Sequence, residues 1–353
     1  MSIYLNQRLE AMAAYVPGEQ PRDRSYIKLN TNESPYPPAP SVVAAMTAKE
    51  VEDLRLYSDP TGKVLKEKLA ALYGLKKENV FLSNGSDEAL YFLFLAYGHM
   101  GAAFPDISYG FYPVFAELTG CNALELPLKG DFTVDHSAYR GLNRLIVIAN
   151  PNAPTGLSIS LSQIEQILQS NPHSVVVIDE AYVDFGGESC YPLMAQYPNL
   201  AVVRTFSKSR CMAGARLGYV LAPAAIIADL EKLKYSLNPY NVNRLTLRLG
   251  EATVDAERYY QEKCAAIMAT RAWTAAELRK LGFFVLPSQT NFLFVRSDKI
   301  GGAELYASLK ARGILVRHFQ NERICAFVRI TIGTDEQMAR CVDTIRAILE
   351  ELP

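Results

Sequence analysis

Three apolar runs of nearly equal length constrain this chain more than any other feature: RLIVIAN (144–150), SVVVIDE (174–180) and LAVVRTF (200–206). They are rich in β-branched residues and lack apolar–polar alternation. That is the pattern of strands buried on both faces, as in a parallel sheet covered by helices. Helical and strand-like stretches alternate before them. KVLKEKLAALYGL is an amphipathic helix closed by Gly74, and NVFLS, a short strand, leads into the helix SDEALYFLFLAYG. GAAF, another strand, leads into the helix SYGFYPVFAELTG. The expectation is an α/β chain with a mostly parallel sheet.

With 353 residues the chain is long for one domain, so one large and one smaller domain are expected. Residues 1–40 read as an extended, proline-rich arm lying against the smaller domain, because the prolines of KLNTNESPYPPAP forbid a helix. The large domain is expected over 41–250, with Ser41 as the first helix cap. Residues 251–353 read as an α+β domain whose antiparallel sheet comes from FFVLPS, NFLFVR, GILVRHF and AFVRITIG. Lys+Arg 36 against Asp+Glu 37 leaves a formal net charge of -1, which argues against nucleic-acid or membrane-surface binding. Six scattered cysteines without a C-x-x-C pair and four dispersed histidines offer neither a disulfide framework nor a metal site. The first residues, MSIYLNQRLEAM, do not form a signal peptide, and a cytoplasmic location is expected.

In open α/β sheets ligands sit outside the carboxyl ends of the strands, and the unusual residues of this chain fall there. SNGSDEA (83–89) turns at Gly85, and Ser86 and Asp87 open a helix whose N-terminus favours an anion, or simply cap it. Tyr109, in DISYGFY, could cover a planar ligand or pack in the core. ANPNAPTG (149–156) is a rigid loop bearing Asn150 and Asn152. Asp179 and Glu180 end a wholly apolar strand, where a carboxylate is costly without a cation. A protonated ring nitrogen or an arginine salt bridge would each supply one, and Tyr182 follows three residues later. TFSKSRCMAGARLGYVLA (205–222) then brings Ser207, Lys208 and Arg216 together among small residues, giving a phosphate pocket beside a reactive amine. A solvated surface turn is the alternative.

G-S-D at a helix start, P-N-x-P-T-G, D-E-A-Y after a buried strand and S-K-x-x-x-x-A-G-x-R occur in that order. Together they resemble the fold-type I pyridoxal-phosphate aminotransferases, specifically the histidinol-phosphate aminotransferase branch, from LNTNESPYPP at the front to VRITIGT near the back. The resemblance implies pyridoxal 5'-phosphate held covalently by Lys208, which also moves the proton. It implies that Asp179 pairs with the pyridinium nitrogen, Tyr182 bonds the phenolic oxygen and Tyr109 stacks on the ring. Ser207, Arg216 and the segment Gly85–Asp87 would take the phosphate. Tyr57, in LYSDP, would reach the other subunit's cofactor, so a homodimer with shared sites is implied. Arg329 and Arg317 would bind the acidic groups of the substrates, with Asn32 and Glu33 bordering the cleft.

One position departs from the pattern. The usual loop reads P-N-N-P-T-G, and its second asparagine supports the ring oxygen; here that residue is Ala153. Either Asn152 takes the role after a small backbone shift, which is the favoured expectation, or Tyr182 carries that bond alone. The expected reaction is transamination between L-histidinol phosphate and 2-oxoglutarate. A threonine-phosphate decarboxylase and a broad aromatic aminotransferase share the scaffold. A non-catalytic sensor and a nucleotide-binding protein find no support: there is no appended helix-turn-helix, no basic patch, no G-x-G-x-x-G and no G-x-x-x-x-G-K-[ST].

Overall fold

A computed structural model describes residues 4–10, 12, 15 and 17–352. Its centre is a seven-stranded sheet in the order Val80–Ser83, Gly218–Leu221, Leu200–Thr205, Val176–Asp179, Leu145–Ala149, Ala102–Pro105, Ala123–Leu126. Alternate residues of the three apolar runs enter different cores. Ile146, Ile148, Val176, Ile178, Leu200 and Val202 pack on one side. Leu145, Val147, Val177, Ala201 and Val203 pack on the other. Each such side chain contributes about 1.5–3 kcal/mol by leaving water, so the absence of polar alternation in these runs follows directly from helices on both faces.

All neighbours pair in parallel except Gly218–Leu221, which runs antiparallel to both strands beside it. That reversal matters for the site. Its register sets Gly218 opposite both Ser83 and Thr205. The start of this strand therefore lies at the edge where its neighbours end, and Arg216 arrives beside Gly85 and Lys208.

Four further strands form an antiparallel sheet, Arg317–His318, Phe327–Thr331, Phe292–Arg296 and Phe284–Val285 in that order. Helix Asp335–Glu350 and the long helix Glu257–Lys280 contribute to the core beneath it. Ile27–Lys28 pairs in parallel with Ile314–Leu315, so the N-terminal segment is tied to this region. Among the described residues no helix is long and apolar enough to cross a membrane, and no group of His, Cys, Asp and Glu could hold a metal ion.

Two local expectations fail. The first helix after the arm is Pro40–Ala44, capped by Ala39 rather than Ser41. Pro40 explains this, since its fixed φ suits the first helical position and its missing N–H is not needed there. Thr47 then starts a separate helix, Ala48–Glu52, by accepting from the Glu50 N–H at 3.4 Å. The strand Ala123–Leu126 was not anticipated: it is an edge strand with half its residues exposed, and ALEL carries no apolar run to reveal it.

Candidate active site

Two adjoining cavities open at the carboxyl edge of the large sheet. One, of about 390 Å³, is lined by Ser86, Asp87, Asp179, Ser207 and Arg216 among others. The second, of about 440 Å³, is lined by Asn30, Asn32, Asp106, Arg317, Asn321 and Arg329 among others. Thr31, Tyr109, Ala153, Tyr182 and Lys208 line both, so they mark the junction.

The inner chamber has a cationic end. Helix Gly85–Tyr97 starts without any side-chain cap, leaving its first N–H groups directed outward. The Arg216 guanidinium donates to Asp87 Oδ2 at 3.0 Å and to Ser207 Oγ at 3.4 Å. Gly85 has φ +72°, and a Cβ there would stand 2.4 Å from Arg216 Nη2. Only glycine gives both that backbone and that approach. A cluster of free helix N–H groups, a hydroxyl and a guanidinium fits a phosphate.

At its other end the chamber holds Asp179. Burial is the main influence on this carboxyl and pushes its pKa up to about 6, although Tyr112 donates to it at 2.9 Å and the Ala181 N–H at 3.1 Å. Asp179 forms no ion pair among the described residues. Glu180 does: its carboxylate, fully buried, meets Arg204 at 2.9 Å and accepts from the Cys190 N–H at 2.7 Å. Of the two arrangements the sequence allowed, the arginine salt bridge is present, on Glu180, and Asp179 takes no part in it. A desolvated carboxylate without a cation, a lysine, and a phosphate cradle in one chamber fit a phosphorylated aldehyde with a basic ring nitrogen.

Lys208 is half-buried at the junction. Its Nζ donates to the Thr31 carbonyl at 3.3 Å and lies 5.8 Å from the Tyr182 ring centre. The turn that carries it is anchored from below. Arg204 bridges Glu180 and, at 2.6 Å, Asp184, which also accepts from the Ser209 hydroxyl. Arg210 joins the cluster through Asp184 at 4.0 Å and extends it to Glu257 at 2.6 Å. Tyr109 donates to Asp87 Oδ1 at 2.7 Å, and burial followed by that carboxylate pushes its pKa well up, so it stays a neutral donor.

The outer cavity is framed by two arginines from adjacent strands, Arg317 and Arg329, directly paired in register. Arg329 is partly buried, and that burial lowers its pKa; Nη2 donates to the Asn30 carbonyl at 3.0 Å, and Nε is buried without a partner among the described residues. Glu33 lines the inner chamber rather than the outer one and is paired with Lys28 at 2.7 Å. Asn32 lines the outer cavity, and its Nδ2 donates to the Tyr182 hydroxyl at 2.8 Å.

Two anticipated residues are not brought to the chamber. Asn152 lines neither cavity. Its amide donates to the Ile107 carbonyl and Thr155 Oγ1, each at 3.0 Å, and accepts from Ser108 Oγ at 2.7 Å. Its groups are committed to Thr155 in its own loop and to Ile107 and Ser108 of another segment, and Ala153 rather than Asn152 lines the junction. Tyr57 lies outside both cavities, 80% exposed and stacked on Tyr240 at 4.4 Å. Conversely, Thr31, Tyr112 and Asp184 escaped the sequence reading. Tyr112 lies one helical turn beyond Tyr109, which was the available signal; the backbone carbonyl of Thr31 had none.

The family described as aminotransferase class I and II matches residues 24–345. A histidinol-phosphate aminotransferase of Brachyspira hyodysenteriae is 45% identical over 99% of this chain and 100% of its own length. One from Marinomonas sp. is 46% identical over the same shares. Among solved structures, the histidinol-phosphate aminotransferase of Sinorhizobium meliloti, in complex with pyridoxal-5'-phosphate, superposes with a TM-score of 0.82 at 23% identity, covering 94% of this chain and 92% of that one. With these relatives and this family match, the chain belongs to the histidinol-phosphate aminotransferase family of the class I and II aminotransferases, which are pyridoxal-phosphate enzymes.

Proposed function

We propose that this chain transfers the amino group of L-histidinol phosphate to 2-oxoglutarate, giving imidazole-acetol phosphate and glutamate. The observation that carries the reading is the junction: Lys208 stands where a phosphate-binding chamber meets a cavity framed by two arginines. Pyridoxal phosphate, when bound, supplies an aldehyde that carries the amino group and a ring that withdraws electrons from the reacting carbon.

The protein's residues divide the remaining work. Lys208 would supply the amine that attaches the cofactor, and its Nζ would hold and move the proton at the substrate carbon. Asp179 holds a cationic nitrogen, which relieves the unfavourable isolation of its own carboxylate. Tyr182 donates to the ring oxygen without help from residue 153, and Tyr109 covers the ring. Gly85, Ser86, Ser207 and Arg216 hold the phosphate, with Asp87 orienting Arg216. Arg329 and Arg317 take the anionic end of either substrate, a phosphate in one half-reaction and a carboxylate in the other, because a guanidinium fork suits both. Asn32 borders the substrate side and Glu33 the cofactor side.

The site is proposed to be completed in a homodimer. Val43, Val51, Leu54, Leu56 and Tyr57 are all exposed within one short segment, which supports burial against a second copy, with Tyr57 reaching that copy's phosphate site. A division into an arm, a large domain and a small domain near residue 250 is part of the same proposal, as is a cytoplasmic location.

The test is a visible spectrum of the purified protein titrated with L-histidinol phosphate in the absence of keto acid. A yellow band that bleaches, and returns on adding 2-oxoglutarate with glutamate as product, is expected. Release of carbon dioxide from threonine phosphate, without need for an acceptor, would move the assignment to the decarboxylase. Bleaching by aromatic amines alone would move it to the broad aminotransferase.

A further inference from the structure

Asn32 occupies an unusual position. Its backbone is left-handed, at φ 56°, a conformation uncommon outside glycine and best tolerated by asparagine and aspartate. Here three bonds hold it. The Asn32 N–H donates to Thr331 Oγ1 at 3.0 Å, Thr331 Oγ1 donates to Asn32 Oδ1 at 3.0 Å, and Asn291 Nδ2 donates to the Asn32 carbonyl at 3.0 Å. Thr331 and Asn291 are buried residues of the small antiparallel sheet and its approach. The fourth contact goes the other way, across to the large domain, where Asn32 Nδ2 donates to the Tyr182 hydroxyl at 2.8 Å.

A phenol has one proton and two lone pairs, whereas an amide nitrogen only donates. The Asn32 contact therefore occupies a lone pair of Tyr182 and leaves its proton free. That proton faces the junction that Tyr182 shares with Lys208 and with the methyl of Ala153, which offers no competing group. A hydroxyl that accepts one hydrogen bond also donates a stronger one. We propose that Asn32 is a positioning residue, fixed by the small sheet, that holds Tyr182 as the donor to the ring oxygen at the Lys208 junction. This rests on the cofactor reading above, and it makes Asn32 a support of the cofactor rather than a contact of the substrate.

The charged and titratable groups facing Tyr182 are Lys208, Arg329, Tyr109 and Tyr112, with Asp179 on its own strand end. None is altered by changing Asn32. Asn32→Gly tolerates the left-handed backbone and keeps the backbone bonds while deleting only the amide. Donation to an anionic ring oxygen disfavours protonation beside it. The pH midpoint of the bound cofactor's visible band is therefore expected to rise in Asn32→Gly by about half to one pH unit, the equivalent of one ordinary hydrogen bond. In a Tyr182→Phe background the same change is expected to move the midpoint by less than about a third as much. Thr331→Val, which loosens Asn32 without touching Tyr182, should shift it in the same direction by less, and serves where Asn32→Gly does not fold. An unmoved midpoint in a folded variant overturns the proposal, as does an equal shift with and without the Tyr182 hydroxyl. A wild-type protein lacking any Lys208-dependent visible band would instead overturn the cofactor reading.

Discussion

Asp179 and Glu180 are consecutive, yet their carboxylates serve opposite faces of the sheet edge. Glu180 turns away from the cavity to Arg204 at 2.9 Å, and Asp179 lines the chamber with only Tyr112 and the Ala181 N–H as partners. Strand alternation produces this split, since successive side chains leave a strand on opposite sides. One carboxylate is thereby spent on structure and the other is left in want of a cation.

Arg204→Met should be strongly destabilising. It would leave Glu180, which has no exposed side-chain surface, and Asp184 without the guanidinium they share. Removing one partner of a buried pair costs about 3–5 kcal/mol. The expected result is an unfolding free energy lowered by that amount, read by chemical unfolding of wild type and variant together. A Glu180→Gln/Arg204→Met double variant should recover part of the loss, because the fully buried carboxylate is then neutral and Asp184 keeps Arg210 at 4.0 Å.

The pKa of Asp179, raised to about 6 chiefly by burial, predicts a pH dependence in the cofactor-free protein. The folded state then binds a proton more tightly than the unfolded chain, whose aspartate titrates near 3.9. Stability from this group is present below about pH 4 and lost as pH rises to about 6, an effect on the order of 3 kcal/mol. Asp179→Asn should abolish that component, so its thermal midpoint would change less between pH 4 and 6 than that of wild type. With cofactor bound the wild-type dependence should also shrink, because a cation then favours the ionised form. Parallel slopes in all three samples would rule this account out.

How far the sequence revealed all this depends on where each signal resides. The strands ending at Ala149, Asp179 and Thr205 were legible because burial on both faces forces unbroken apolar runs. Lys208, Asp179 and Arg216 were legible because charged residues at such strand ends are costly without a use. The antiparallel strand Gly218–Leu221 was not distinguishable from a parallel one, since its burial pattern is the same; its direction comes from the short connection through Ala213–Ala215. The bond between Asn32 and Tyr182 spans 150 positions and depends on backbone conformation at Asn32, which no local pattern encodes. The partners of Asn152 were hidden for a related reason: its amide is claimed by Thr155 in its own loop and by Ile107 and Ser108, and hydrogen-bond competition is invisible in a motif.

Gly85→Ala is expected to weaken cofactor binding without unfolding the chain. The added Cβ would sit 2.4 Å from Arg216 Nη2 in a backbone of φ +72°, and the side chain of Arg216 is long enough to give way. Its displacement would break the contact with Asp87 at 3.0 Å and spoil the phosphate cradle. Loss of one charge-assisted hydrogen bond corresponds to about 10- to 100-fold in the dissociation constant. Equilibrium dialysis of pyridoxal phosphate against the two proteins measures it, and unaltered affinity would show that Arg216 does not bear on the phosphate.

Arg329 offers the sharpest separation of substrate from cofactor function. It lines the outer cavity, partly buried, with Nε unpartnered among the described residues and one amine on the Asn30 carbonyl. A guanidinium desolvated in this way gains most when an anion arrives, because burial is what lowers its pKa. Arg329→Lys keeps the charge but loses the fork, so kcat/KM should fall by about 10- to 100-fold, the value of a charge-assisted hydrogen bond. The loss should appear with histidinol phosphate and with glutamate alike if one pocket serves both. Meanwhile the visible spectrum of the bound cofactor should be unchanged, since Arg329 does not line the inner chamber. A loss confined to one substrate would divide the two anionic groups between Arg329 and Arg317, and a changed spectrum would place Arg329 against the cofactor after all.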